Sequence, residues 1–367
     1  MSCLCCSNSS GQVIVHSVGD GNAIELSNGA TGNSALVDCG GDNAKAIPVL
    51  LGASIRGATD FVLTHFHYDH YSGVSEQPVG TVLARDIDAI YVPALPLILD
   101  YKTTLDFAVA LFALNKVIFG SMSEVAEKDL IDKFQNLNPS GMKPTLTFLS
   151  KGDSFNVAGT DFEVLWPPKY LNSSGIVKSV VEAVKAFDRA VEIDPRVRRA
   201  LDEVRKWAEQ TTQLAAERAK LDEGRSAKEE ENIRSTLESD DNFSVQEEPE
   251  DNSDLPTVIK EANKKIRGVA NRLSLAFRSP GCFLHLGDLE DNEINVVAKD
   301  LYPKPYFCNV VAAHHGTHFG HKLAGITMCS LLVSNGTQRP QIDVRYRKIS
   351  GRIQETNING TSIGYFC

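Results

Sequence analysis

The chain has 367 residues, 42% hydrophobic and 23% charged, with 27 Gly, 15 Pro and a formal net charge of −10. That length supplies a sizeable core for one large domain or two ordinary ones, and the composition excludes collagen-like, wholly disordered and small disulfide-stapled classes. The acidic balance argues at first sight against a nucleic-acid partner, because phosphate binding rests on Lys and Arg.

In chain order, the first elements read as short β-branched strands separated by Gly and Asn: Gln12–Val18, Asn22–Leu26 and Ser34–Gly40. A helix near Ala44–Gly57 precedes an apolar strand that ends at His65. Val82–Pro93, Thr145–Leu149 and Asp161–Pro168 are further strand candidates. The longest apolar stretch, Leu105–Gly120, is broken by Asn115 and Lys116 and falls short of the ~18–20 residues of a membrane span. It predicts a buried or amphipathic helix. Without a basic n-region and apolar h-region at the start, the expectation is a soluble, cytoplasmic protein with no membrane partner.

From about Ser173 to Val269 the pattern changes. Ile176, Val180, Val184, Phe187 and Val191 recur at helical spacing, and Pro195 separates them from a charge-rich helical stretch, Arg196–Leu221. The segment 224–254 carries 11 acidic residues against Arg225, Lys228 and Arg234, so most of the net charge lies there, and its composition predicts disorder. Leu255–Arg272 reads as a last helix. Strands then return at Asn271–Phe277, Cys282–Asp288, Phe307–His315 and Ser330–Gly336. Arg352–Phe366 reads as a final hairpin turning at Asn359–Gly360. The expected organisation is a flexible terminus at 1–10, a first half of an α/β domain at 11–172, a helical and acidic insertion at 173–269, and a second half at 270–367. The insertion is a candidate surface for a protein partner or self-association.

Cys39, Cys282, Cys308 and Cys329 lie in apolar surroundings and read as reduced thiols, and Cys3, Cys5 and Cys6 as incidental thiols of a frayed terminus. The histidines are more informative. His65, His67 and His70, with Asp69, form H-x-H-x-D-H directly after an apolar strand. Imidazole and carboxylate at this spacing suit Zn²⁺, Mn²⁺ or Fe²⁺. Asp288 and the pair His314–His315 also follow apolar strands, with Gly316 and Thr317 permitting a tight turn. Metal-compatible residues at several strand ends point to one metal centre. His285 reads as a core residue or a support behind the metal ligands, and His16 as a packing residue. Neither a G-x-S-x-G nor a G-x-x-x-x-G-K-[ST] motif is present.

These motifs resemble the metallo-β-lactamase superfamily, whose signature is H-x-H-x-D-H. The order of VGDGNAIEL, FEVLWPP, NRLSLAF, FLHLGDLE, AAHHGT, LLVSNG and ETNINGTSIGY is similar to that of the soluble hydrolase domain of ComEC-type proteins. The resemblance covers about residues 11–170 and 270–367. It implies a four-layer αββα sandwich with a helical insertion and two divalent ions, Zn or Mn. His65, His67, Asp69, His70, Asp288 and His314 are the implied ligands, and Asp38 supports the metal loop from behind. Asp69 would also orient a hydroxide formed on the metals, and His315 would give a proton or contact phosphate, or His314 and His315 exchange these two roles. Thr317, His318 and Asn335 are weaker substrate-binding candidates. The third-motif histidine of the wider superfamily has no counterpart, since no histidine lies between His70 and His285. The implied function is a phosphodiesterase or nuclease acting on DNA or nucleotides. A hydrolase of a lactone, thioester or other carboxylic substrate, or a catalytically weak binding module, is the alternative.

Overall fold

A computed structural model of the chain describes residues 11–55, 58–98, 100–119, 127–171, 174–205, 255–301, 306–338 and 341–366. The expectations for residues 1–10 and 224–254 lie outside these. The described residues form two compact units.

The first unit takes in Met1–Pro93, Glu127–Trp166 and Ser274–Cys367. It holds two seven-stranded mixed sheets. In the first sheet β16 (Ser362–Phe366), β1 (Gly11–Val15), β2 (Ala23–Asn28) and β3 (Asn33–Cys39) pair antiparallel; β4 (Ala58–Val62), β5 (Ala89–Pro93) and β7 (Thr145–Leu149) then continue parallel from β3. The second sheet repeats the plan. β8 (Ser154–Val157), β9 (Thr160–Trp166), β11 (Ala276–Ser279) and β12 (Phe283–His285) pair antiparallel; β13 (Tyr306–Val311), β14 (Thr327–Val333) and β15 (Ser350–Glu355) then follow parallel.

Alternation along the strands builds the core. Val13 and Val15, Ile24 and Leu26, and Ala35 and Val37 send every second side chain into one apolar cluster shared with Phe155, Phe162, Phe277 and Phe283 of the second sheet. The phenylalanines meet with centroids 5.4–6.1 Å apart, the separations of tilted and edge-to-face pairs. Helix α1 (Asn43–Ile55) and α2 (Tyr68–Ser75) pack on β3.

The second unit spans Ala94–Ala126 and Pro167–Leu273. Its α3 (Tyr101–Phe119), α5 (Ser174–Ile193) and α6 (Thr257–Arg272) pack on one another, and α3, buried through Phe107–Asn115, brings Ala94–Ala126 into this unit. The two-residue strands β6 (Leu97–Ile98) and β10 (Tyr170–Leu171) pair parallel beside them. The buried stripe of α5 is Ile176, Val180, Ala183, Phe187 and Ala190, while Val184 and Val191 sit at its margin. A second helical stretch, 195–205, starts at Pro195, where a missing N–H costs nothing, and the Asp194 carboxylate accepts the Arg196 N–H at 2.8 Å. No described helix is long and apolar enough to cross a membrane.

Two expectations change. Arg352–Phe366 is not a hairpin, because β15 and β16 join different sheets with a helical turn, Thr356–Asn359, between them. The hydrophobic pattern of both strands was legible, but alternation does not say which sheet takes each. Helix α4 (Glu127–Leu137) and α7 (Asp291–Asp300) also stand where no element was expected; both are short and polar on the outside.

Candidate metal centre

The site residues leave the carboxyl ends of parallel strands in both sheets. Asp38 lies near the end of β3, His65 follows β4, Asp288 follows β12, and His314 and His315 follow β13. Backbone groups run out of ladder partners at such ends, so side chains can converge there.

Three non-glycine residues here sit in the left-handed region: Asp38 at φ 55°, His314 at 47° and His315 at 56°. Among the described residues only Ala158 shares that property. Each such conformation costs of order 1–3 kcal/mol and persists where the surroundings enforce it, typically at functional sites. Close approach matters as well. A Cβ on Gly40 would stand 2.3 Å from the Asp69 carbonyl carbon, so only glycine lets β3 press against the start of α2.

Asp38 is fully buried and organises the centre. Its Oδ1 accepts the Thr64 N–H at 2.7 Å; its Oδ2 accepts the Thr64 hydroxyl at 2.7 Å, Asn22 Nδ2 at 2.8 Å and the His70 ring Nδ1 at 2.8 Å. Burial works against the charge, but His70 and the hydrogen bonds outweigh it and hold the carboxyl below its ordinary range. With its Nδ1–H committed to Asp38, His70 turns a lone pair on Nε2 into the site. The Thr64 oxygen lies 3.1 Å from His65 Nδ1 and fixes that ring in the same sense. His315 Nδ1 likewise donates to the Ser334 carbonyl at 2.8 Å, which frees its Nε2.

The freed atoms converge. His70 Nε2 is 3.4 Å and His315 Nε2 3.6 Å from Asp288 Oδ2; His65 Nε2 is 3.8 Å from the same oxygen. His315 Nε2 also lies 3.6 Å, and His70 Nε2 3.9 Å, from Asp69 Oδ2. His67 Nδ1 faces His65 Nε2 at 2.9 Å. Two groups result, His65–His70–Asp288 and Asp69–His70–His315, with ligand atoms within 4.8 Å of one another. His70 Nε2, His315 Nε2 and Asp288 Oδ2 are buried with no hydrogen-bond partner. Orphaned lone pairs aimed at one point are what a cation satisfies, and imidazole with carboxylate is the donor set of Zn²⁺ or Mn²⁺. The residues fit a divalent metal.

The electrostatics agree. Burial opposes a charge on His70, yet Asp288, Asp38 and Asp69 around it raise the ring well above the ordinary imidazole range. Burial, and then His70 beside it, push His65 down to about 3. Burial also works against Asp288, but the surrounding histidines hold it well below the usual carboxylate range. The centre therefore attracts positive charge and keeps Asp38 and Asp288 ionised.

The other sequence candidates are placed as follows. His314 Nε2 is 4.0 Å from Asp288 Oδ2 and outside both groups; its ring stacks on His318 with centroids 4.7 Å apart. Of the two neighbouring imidazoles in this left-handed turn, His315 has its Nε2 within 3.6 Å of both Asp69 and Asp288. His318 Nδ1 lies 3.2 Å from Asp291 Oδ1. The Thr317 hydroxyl donates to the His314 carbonyl and closes the turn. Asn335 is committed to the chain around Thr356, its N–H donating to Thr356 Oγ1 and its Oδ1 accepting the Asn357 N–H. His285 stacks parallel on Phe277 with centroids 5.1 Å apart, as a packing residue does. His16 faces the buried Glu25 at 3.5 Å.

Asn22 and Thr64 support the centre without having been assigned that task from the sequence. The signal for Thr64 was its place directly before His65; Asn22 is distant in sequence and had no such mark.

A family model described as the metallo-beta-lactamase superfamily matches residues 17–76, the stretch that carries Asp38 and the H-x-H-x-D-H motif. No curated protein matches the chain.

Proposed function

We propose that this chain is a cytoplasmic metal-dependent hydrolase with a four-layer αββα fold, cleaving phosphodiesters of nucleic acids or nucleotides in the manner of ComEC-type hydrolase domains. The observation that supports a metal hydrolase is the convergence of ligand atoms of His65, His70, His315, Asp69 and Asp288, of which those of His70, His315 and Asp288 are buried with no hydrogen-bond partner. A superfamily match over the same motif adds to it.

One imidazole nitrogen serves one ion, so the shared His70 sorts the ligands. His65 and His67 with Asp288 would hold one metal; Asp69, His70 and His315, again with Asp288, would hold the other. When bound, such ions acidify a water and polarise the phosphoryl group. The chain's own residues then do the positioning. Asp38 and Thr64 fix the tautomers of His70 and His65. Asp69 is the most open of the three site carboxylates, with 17% of its side chain exposed, and accepts a hydrogen bond from the attacking water. His314, outside both ligand groups, faces the leaving oxygen. The stacked imidazoles of His314 and His318 beside the centre suit an anionic substrate. The helical unit holds none of these residues, and we assign it to self-association or a protein partner.

The test is metal content of the purified chain, followed by hydrolysis of single-stranded DNA, cyclic nucleotides, lactones and thioesters by the metal-loaded protein. About one to two ions per chain and turnover of the phosphodiesters are expected. Turnover of the lactones or thioesters alone would replace the substrate class; absence of both metal and turnover would leave a binding module.

A further inference from the structure

Two loops far apart in sequence, residues 19–22 before β2 and 334–338 after β14, meet beside the metal centre. The Ser334 hydroxyl donates to the Gly21 carbonyl at 2.7 Å, both residues buried. At the outer end of the same contact Asp20 accepts the Gln338 N–H, each carboxylate oxygen lying 3.1 Å away. A Cβ on Gly336 would stand 2.4 Å from Asp20 Cγ, so the loops touch without a side chain between them. Gly21 and Asn22 are in turn built into the ligand loops. The Asn22 N–H donates to the Asp69 carbonyl at 3.0 Å, its carbonyl accepts the Gly40 N–H at 2.9 Å, and its Nδ2 donates to Asp38 at 2.8 Å.

The other face of this contact is His315. Its Nδ1 lies 2.8 Å from the Ser334 carbonyl, which can only accept, so Nδ1 carries the proton and Nε2 is left for the centre. The backbone of His315 is left-handed, at φ 56°, and such a conformation persists only where neighbours enforce it. The Ser334 peptide supplies that enforcement because it is held twice, by its hydroxyl on Gly21 and by its carbonyl on His315. One short span, Gly21 and Asn22, therefore touches the carboxylate that orients His70, the backbone of Asp69 and, through Ser334, the ring of His315. These are the three residues of one ligand group.

We propose that Ser334 is a positioning residue of the metal centre: its hydroxyl, anchored on Gly21, aims its carbonyl at His315 Nδ1 and keeps His315 Nε2 3.6 Å from both Asp69 and Asp288. This rests on the metal-hydrolase reading and adds to it the device that holds ligands from the two sheets in register. Asp38 serves His70 in the same way, and the span 21–22 joins the two supports. Ser334 acts through His315, so its effect belongs in metal binding.

The experiment compares Ser334→Thr with Ser334→Val in the full chain, two side chains of nearly one shape that differ in the hydroxyl. The first readout is the NMR signal of the His315 Nδ1 proton, identified by its absence in His315→Ala. That proton should be protected from exchange with water in the wild type and in Ser334→Thr, and lose its protection in Ser334→Val. The second is affinity for Zn²⁺ by competition with a chelator, expected to fall about 10- to 100-fold in Ser334→Val relative to Ser334→Thr. A packing role alone would move both variants alike. An equally protected proton in Ser334→Val, or equal affinities in the two variants, overturns the proposal. If the wild type binds no metal, the metal-hydrolase reading fails by itself and the proton alone decides the role of Ser334. If the Ser334 variants do not fold, Asp20→Ala takes their place, because it cuts the half-buried outer clamp on the same loop. Exchange of the His315 proton should then be several-fold faster than in the wild type, and an unchanged rate overturns the proposal.

Discussion

The Asp38 carboxylate meets the His70 imidazole at 2.8 Å with both side chains fully buried, and this contact decides which nitrogen of His70 faces the metal centre. Asp38→Asn keeps the shape but weakens the preference for that tautomer. Metal affinity, measured by competition with a chelator, should fall about 10- to 100-fold while the fold is retained. Undiminished affinity would show that His70 is oriented by packing alone.

The neighbours His314 and His315 should separate cleanly. His315→Ala removes an atom that lies 3.6 Å from both Asp69 and Asp288, and should lower bound metal per chain. His314→Ala leaves both ligand groups complete, so metal content should hold while turnover falls about 10²- to 10⁴-fold, the range of a positioned proton-transfer group. The opposite pattern in metal analysis would return the ligand role to His314.

Gly40→Ala tests the close approach between β3 and α2. A methyl at 2.3 Å from the backbone of Asp69 cannot be accommodated by moving a side chain. Urea unfolding should show a loss of about 1–3 kcal/mol or more, the range of overpacking, together with weaker metal retention. A stability equal to wild type would mean that the loop shifts freely.

His285 predicts a pH dependence of stability. Burial pushes its ring down to about 4, and Gly287 N–H donates to Nδ1 at 2.9 Å, which disfavours a proton there. The unfolded chain binds that proton near pH 6.5, so the contribution is complete above that value and lost as pH falls from about 6.5 to about 4. The shift corresponds to roughly 3 kcal/mol. Chelator-treated protein should therefore lose stability across that window, and His285→Phe should flatten the slope even if its baseline is lower. An unchanged slope in His285→Phe would assign the acid sensitivity to another group.

Much of the centre was legible because its residues come in short, dense motifs. H-x-H-x-D-H names three imidazoles and a carboxylate within six positions, and the apolar strand before it explains their burial. Asp288 and His314–His315 were legible for the same reason, each closing an apolar strand. Which of His314 and His315 brings its Nε2 within 3.6 Å of Asp69 and Asp288 was not, because it depends on two left-handed residues in a row, and no side-chain pattern announces that turn. Asn22 was hidden by distance: its amide reaches Asp38 only once β2 and β3 pair. The split of Arg352–Phe366 between two sheets was hidden likewise, since a strand's alternation fixes a buried face and not the partner that buries it.

Strand β1 lies between β2 and β16, with Gly11 opposite Phe366 and Val15 opposite Ser362. A ribosome delivers β1 early and β16 only after every other described strand, so throughout synthesis one side of β1 presents unpaired backbone groups. An open β edge of that kind pairs readily with other chains, and long-range closure of this type is slow. The sheet that carries Asn22, Asp38 and Thr64 is therefore completed last, and metal is expected to join a finished sheet rather than to nucleate it.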